Sequence, residues 1–153
     1  MMKKLTALVL AIVLILSLSV TAFAEDNRQT TITTSIAPSY TVTIPANTNV
    51  TFNTLSTSFG SVKLTDAQLD PGYAVRATLN ASGTLKNQAD RTKTIAYTIK
   101  DANGAFTSAQ YTTAGQETPL TIDITRAAWN AAFAGQYSDT VTFIVSYINT
   151  VAA

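Results

Sequence analysis

Between Gly135 and Ile148 the chain reads Gly-Gln-Tyr-Ser-Asp-Thr-Val-Thr-Phe-Ile-Val-Ser-Tyr-Ile. Side chains of an extended strand alternate between its two faces. Tyr137, Asp139, Val141, Phe143, Val145 and Tyr147 therefore share one side of this segment. Ser138, Thr140, Thr142, Ile144, Ser146 and Ile148 occupy the other, which begins polar and ends apolar. One flank so rich in aromatic and branched residues must be covered, and the natural cover for a strand is a second sheet. The rest of the chain has to supply that sheet.

It is written in the same alternating grammar. Thr30–Ile36 alternates Thr with Ile, Pro38 interrupts, and Tyr40, Val42 and Ile44 resume on one side of the next short segment. Proline cannot donate to a ladder, so the break separates two edge-type strands. A further short strand is expected at 50–52, then a Ser/Thr-rich connection to Gly60, then Val62 and Leu64 inward with Lys63 outward. Asp70-Pro71-Gly72 predicts a turn in which proline presets the first corner and glycine takes the left-handed second. Tyr73, Val75, Ala77 and Leu79 then fall in register, opposite Arg76. Residues 80–93 lose the alternation and read as a polar loop with a short strand around Leu85. Ile95, Tyr97 and Ile99 restore it, and Asp101-Ala-Asn103-Gly104 predicts a hairpin turn. Residues 106–112 form a weaker return strand, and Leu120, Ile122 and Ile124 mark the next. Only residues 126–134 read helical, with Trp129 and Phe133 four apart on one face and Gly135 as the stop.

Short strands with period-two alternation, joined by Gly, Pro and Asn turns, predict an all-β fold. The expected architecture is an antiparallel, immunoglobulin-like β-sandwich of about 7–9 strands with one short connecting helix. The chain has no cysteine. Burial of Val, Ile, Leu and aromatic side chains must then hold the domain together, each contributing about 1.5–3 kcal/mol.

Residues 1–24 read as a cleaved targeting signal. Met1-Met2-Lys3-Lys4 is basic, residues 5–20 are apolar with scattered Ser and Thr, and Ala22-Phe23-Ala24 is a small-residue cleavage site. The expected product is a secreted or cell-surface chain, residues 25–153, folded as a single domain and without a membrane anchor. Losing Lys3 and Lys4 from ten basic residues leaves eight against nine acidic ones. They are dispersed, which argues against nucleic acid as a partner.

The chain has neither histidine nor cysteine. That removes the usual nucleophile–base pairs and most transition-metal sites. Asp66, Asp70, Asp90, Asp101, Glu117, Asp123 and Asp139 are scattered among turns and outward strand positions, with no pair set for acid–base work. Asp101 to Gly104 has the opening of a calcium loop but not its later oxygens or closing glutamate. No catalytic residue, metal or cofactor is expected. Tyr137 suits a tyrosine corner, its hydroxyl bonded to nearby backbone, and Asp139 could tie the incoming turn. Trp129 admits two readings: an exposed indole stacks on a sugar ring, whereas an indole beside Phe133 and several alanines plugs the core. The plug is the expected one.

Gly135, Tyr137, Asp139, Val141, Phe143, Val145 and Tyr147, with Thr140 after the aspartate, form a pattern that resembles the final strand of bacterial fimbrial-type domains. It also resembles spore coat protein U-like domains and pilin-like sandwiches of secreted bacterial proteins. Tyr40-Thr-Val-Thr-Ile44-Pro45 and Asp70-Pro71-Gly72 are similar to such chains as well. The chain departs from them in lacking the cysteines of many pilins. The resemblance implies an extracellular structural or adhesive subunit that partners itself or other surface proteins, polymerising by lending a strand. Thr30, Thr31, Ile32, Thr33, Thr34, Ser35 and Ile36 are then the candidate strand-exchange segment. The same residues could instead form a first strand that kinks at Pro38 and stays within its own domain. A different reading is a monomeric extracellular module whose loops, residues 80–93 above all, bind a glycan or a protein.

Overall fold

A computed structural model of the protein describes residues 30–151, so the expected targeting segment lies outside the described residues. The chain divides between Ser35 and Ile36. Residues 36–151 carry all the regular structure described here. In chain order the strands are β1 (Ser39–Thr43), β2 (Ser56–Gln68), β3 (Tyr73–Asn80), β4 (Thr84–Asn87), β5 (Thr94–Ala96), β6 (Thr98–Asp101), β7 (Gly104–Ala105), β8 (Ser108–Tyr111) and β9 (Glu117–Asp123). A one-turn helix α1 (Arg126–Asn130) leads to β10 (Tyr137–Ser138) and β11 (Thr142–Asn149). Among the described residues no helix is long and apolar enough to cross a membrane.

Every strand pair is antiparallel. One sheet has the order β1-β2-β9-β6-β7; opposite it lie β11-β3-β8 and β10-β4-β5. The inward residues of the five-stranded sheet are Val62 and Leu64 of β2, Leu120 and Ile122 of β9, and Ile99 of β6. They meet Val75 and Ala77 of β3, Tyr111 of β8 and Ile95 of β5 in one buried cluster. The Tyr111 hydroxyl crosses the core, placed 2.8 Å from Thr118 Oγ1 and 3.2 Å from the Val62 carbonyl it donates to. Among the described residues the fold is thus an all-β antiparallel sandwich with one short connecting helix.

Among the described residues there are eleven strands where 7–9 were expected, and the surplus has a physical cause. Ile95, Tyr97 and Ile99 keep one alternation and are all buried. Their backbone nevertheless changes partner at Tyr97, from β4 on one side of the core to β9 on the other. Periodicity registers which face is buried; it cannot register which sheet does the hydrogen bonding. The C-terminal stretch splits likewise, with β10 on β4 and β11 on β3. Between the two ladders the opposing strand turns through Gly83, at φ 69°.

The connection expected before Gly60 is strand. Phe59 and Val62 both face the core although they are three residues apart. A bulge between Ser58 and Gly60, with Gly60 at φ 102°, absorbs the odd residue. Residues 50–52 form no strand, contrary to the expectation. Residues 30–38 form none either, so Thr30–Ile36 is not a first strand of the sandwich among the described residues. Its Ile32 is 94% exposed. Asp70-Pro71-Gly72 does turn, with Gly72 at φ 79° and Tyr73 N–H returning to the Asp70 carbonyl at 3.1 Å. Asp101 pairs with Gly104 across the expected hairpin, and Asp101 Oδ1 accepts the Asn103 N–H at 2.8 Å.

The helix is shorter than the alanine-rich run implied. Thr125 caps it, its side chain accepting the Ala128 N–H at 3.1 Å. It ends at Asn130, where the Ala132 N–H bonds Trp129 three residues back rather than continuing the α pattern. The chain must return to pair Tyr137 with Asn87, and this tertiary demand overrides helix propensity. Phe133 therefore leaves the helix and is exposed, instead of sharing a buried face with Trp129. Gly135, at φ 144°, is not the helix stop. A Cβ there would overlap the Asn87 amide, and that close approach is what requires glycine.

An aromatic cleft on the open flank

The odd-numbered face of the last stretch lies inward. Tyr137, Val141, Phe143, Val145 and Tyr147 all contact the buried cluster, but each is only partly covered. The reason is position: β11 and β10 are the outer strands of their sheets. On the facing layer β1 pairs only with Lys63–Gln68, so the Ser56–Ser61 half of β2 has a ladder partner on one side alone, β9. One long flank of the sandwich is bordered by these two free edges.

Aromatic pairs close part of that flank. Tyr40 of β1 stacks on Tyr147 of β11 at 5.9 Å, and Tyr73 of β3 also stacks on Tyr147, at 4.8 Å. The Tyr147 hydroxyl accepts the Asp70 N–H at 2.7 Å and donates to Asp70 Oδ2 at 3.1 Å. Further along, Phe59 and Phe143 approach to 6.3 Å. Beyond Phe143 the pairs give way to two clefts. The smaller, of about 360 Å³, lies among Val50, Phe59, Tyr97 and Phe143. The larger, of about 800 Å³, lies among Phe52, Trp129, Phe133 and Tyr137. Asp139 borders both.

Each wall of the larger cleft is fixed by a named contact. Trp129 is 7% exposed and its indole N–H donates to the Thr54 carbonyl at 2.9 Å. It forms the floor, as the plug reading expected, and is no free stacking platform. The exposed rings are Phe52, expected in a short strand but 68% exposed and edge-on to Trp129 at 5.5 Å, and Phe133, expected on one helical face with Trp129 but 61% exposed. Lys93 Nζ sits 4.6 Å from the Phe133 ring centroid and holds that ring in place. The Tyr137 hydroxyl donates to the Phe133 carbonyl, four residues upstream, at 3.0 Å.

Asp139 binds the two half-ladders together. Its Oδ2 accepts from the Tyr97 hydroxyl at 2.6 Å and the Ser82 hydroxyl at 2.7 Å. Burial alone would raise its pKa. The hydrogen bonds from Tyr97, Ser82 and the Thr140 N–H outweigh it and hold the carboxyl below its ordinary value of 3.8. Burial, then the adjacent carboxylate, push the Tyr97 phenol well above its usual range. A depressed carboxyl pKa contributes stability above the unfolded value, lost as pH falls through the folded one; a raised phenol pKa contributes below pH 10 and is lost above it. Thermal melts should show the acid loss below about pH 4. Asp139→Asn should flatten it, by about 0.5–1 kcal/mol once solvent screening is allowed for. An unchanged acid limb in the variant would contradict the assignment.

The remaining carboxylates stay apart. Glu117 pairs with Lys63 at 3.4 Å and Asp123 with Lys100 at 2.8 Å, both on the outer face of the five-stranded sheet. Asp90 accepts from Thr92 within its own turn. Among the described residues no three acidic side chains converge. The flank thus holds two strand edges with a ladder partner on one side only, the smaller cleft between Phe59 and Phe143, and the larger aromatic cleft beside α1. No family model and no curated protein matches this chain, so its reading rests on that surface.

Proposed function

We propose that this protein is an exported, non-enzymatic structural or adhesive subunit of the bacterial cell surface or extracellular matrix, which assembles by strand exchange through residues 30–36. The observation that carries the reading is the flank on which β11 and half of β2 each have a ladder partner on one side only. A free edge presents unpaired N–H and C=O groups, and an extended alternating segment satisfies them. Thr30–Ile36 is such a segment: it forms no strand of its own and places Ile32 and Ile36 on one face. The likeness of the Gly135–Tyr147 pattern to fimbrial-type final strands supports the same reading.

Deleting residues 25–37 tests it. The mature chain should give oligomers in size-exclusion chromatography and fibres by electron microscopy. The truncated chain should give a monomer that binds the missing peptide added in trans. A mature chain that stays monomeric at high concentration would overturn the proposal. It would favour instead a monomeric module that binds a glycan or a protein, for which the aromatic cleft is the supporting observation.

A further inference from the structure

We infer that the larger cleft is a binding site for a neutral saccharide, with Phe52 and Phe133 as its stacking rings. The inference goes beyond assembly and stands whether or not residues 30–36 exchange. Three features of the cleft carry it.

The first is the exposure of two phenyl rings that a folding core would have buried. Phe52 and Phe133 lie on the same cleft of about 800 Å³ and are more than half exposed. Large rings left in water beside a concave floor mark a binding surface rather than a packing defect. The second is rigidity. Trp129 is fixed by its indole hydrogen bond, Phe52 lies edge-on against it and Lys93 lies over Phe133, so the floor is set and each stacking ring has a neighbour before a ligand arrives.

The third is the chemistry of the remaining wall. Asn49 and Ser138 also border the cleft, and neither side chain is hydrogen-bonded by another described residue. Asp139 contributes a carboxylate whose hydroxyl partners are already fixed. No basic cluster lines the cleft: Lys93 is engaged on the Phe133 ring. The one charged side chain among the described residues lining the cleft, Asp139, repels an anionic ligand, and with two hydroxyls already bound to it offers little to a cationic one. A wholly apolar peptide side chain would leave the amide and hydroxyl unanswered. A pyranose answers both walls, setting its C–H face on a phenyl ring while its equatorial hydroxyls reach amide, hydroxyl and carboxylate. Trp129, the single tryptophan of the chain, forms the floor and reports occupancy through its own fluorescence.

The test is a printed array of neutral and acidic oligosaccharides probed with the full chain. The best-bound sugar is then titrated against Trp129 emission. At least one neutral oligosaccharide should bind and shift that emission. Phe133→Ala should weaken it about tenfold, the scale of one lost aromatic contact. The Phe52→Ala/Phe133→Ala double variant should abolish binding while its thermal midpoint stays close to the parent, because both rings are largely exposed. The proposal fails if no neutral sugar on the array binds. It also fails if the double variant binds as the parent does, or if the cleft takes only acidic sugars or an apolar peptide.

Discussion

Leu120→Ala should lower the free energy of unfolding by about 3–4 kcal/mol, seen as a fall in both the denaturant midpoint and the melting temperature. Leu120 sits on β9, with β2 on one side and β6 on the other, and is 1% exposed. Its neighbours in the buried cluster include Val62, Leu64 and Ile122, held on a hydrogen-bonded sheet that cannot easily collapse into a cavity. A domain of this size is stable by only about 5–15 kcal/mol. The chain has no cysteine, so no crosslink restrains the unfolded state. One lost isopropyl group therefore removes a large share of the total. Phe133→Ala on the rim is the control, and should change stability by less than about 0.5 kcal/mol.

Gly135→Ala should cost about 3 kcal/mol and lower the melting temperature by about 10 °C. Two effects add. At φ 144° an alanine is strained wherever its methyl points. That methyl also meets the Asn87 amide, and Asn87 is 4% exposed and fully used. Its Nδ2 donates to the Ala134 carbonyl at 3.3 Å, and its Oδ1 accepts from Ala89 and Asp90 at 2.9 and 3.2 Å. Moving Asn87 loosens the 88–90 turn and the β4–β10 ladder together. Gly104→Ala separates the two effects. Gly104 has φ 129° with nothing within 4 Å of a Cβ, so that variant should lose only the strain, about 1 kcal/mol. Equal losses at the two glycines would show that Asn87 yields freely.

The contrast between these positions also explains how much the sequence disclosed. Burial patterns were legible because period two is a local property. The inward face of the last strand, the Asp70–Gly72 turn and the Asp101–Gly104 hairpin all follow from neighbours in the chain. Sheet membership was not legible, because Ile95, Tyr97 and Ile99 keep one rhythm while their backbone changes layers. The bulge at Ser58–Gly60 hid half of β2, since an inserted residue breaks the count that identifies a strand. The cleft was legible only in part. Trp129 drew notice as an aromatic on an alanine-rich run, but the rings that face solvent are Phe133, released by the early end of α1, and Phe52, on a segment without strand pairing. Their exposure is a tertiary outcome that no spacing rule encodes.

Assembly by strand exchange requires a free edge on β11. Residue-resolved amide exchange on the chain lacking residues 25–37, with and without the 30–36 peptide, addresses it directly. Alone, alternate amides between Thr142 and Asn149, those pointing away from β3, should exchange rapidly while the intervening ones are protected. With peptide bound, the fast set should become protected too. Uniform protection in the absence of peptide, or a fast set that the peptide leaves untouched, would contradict the account.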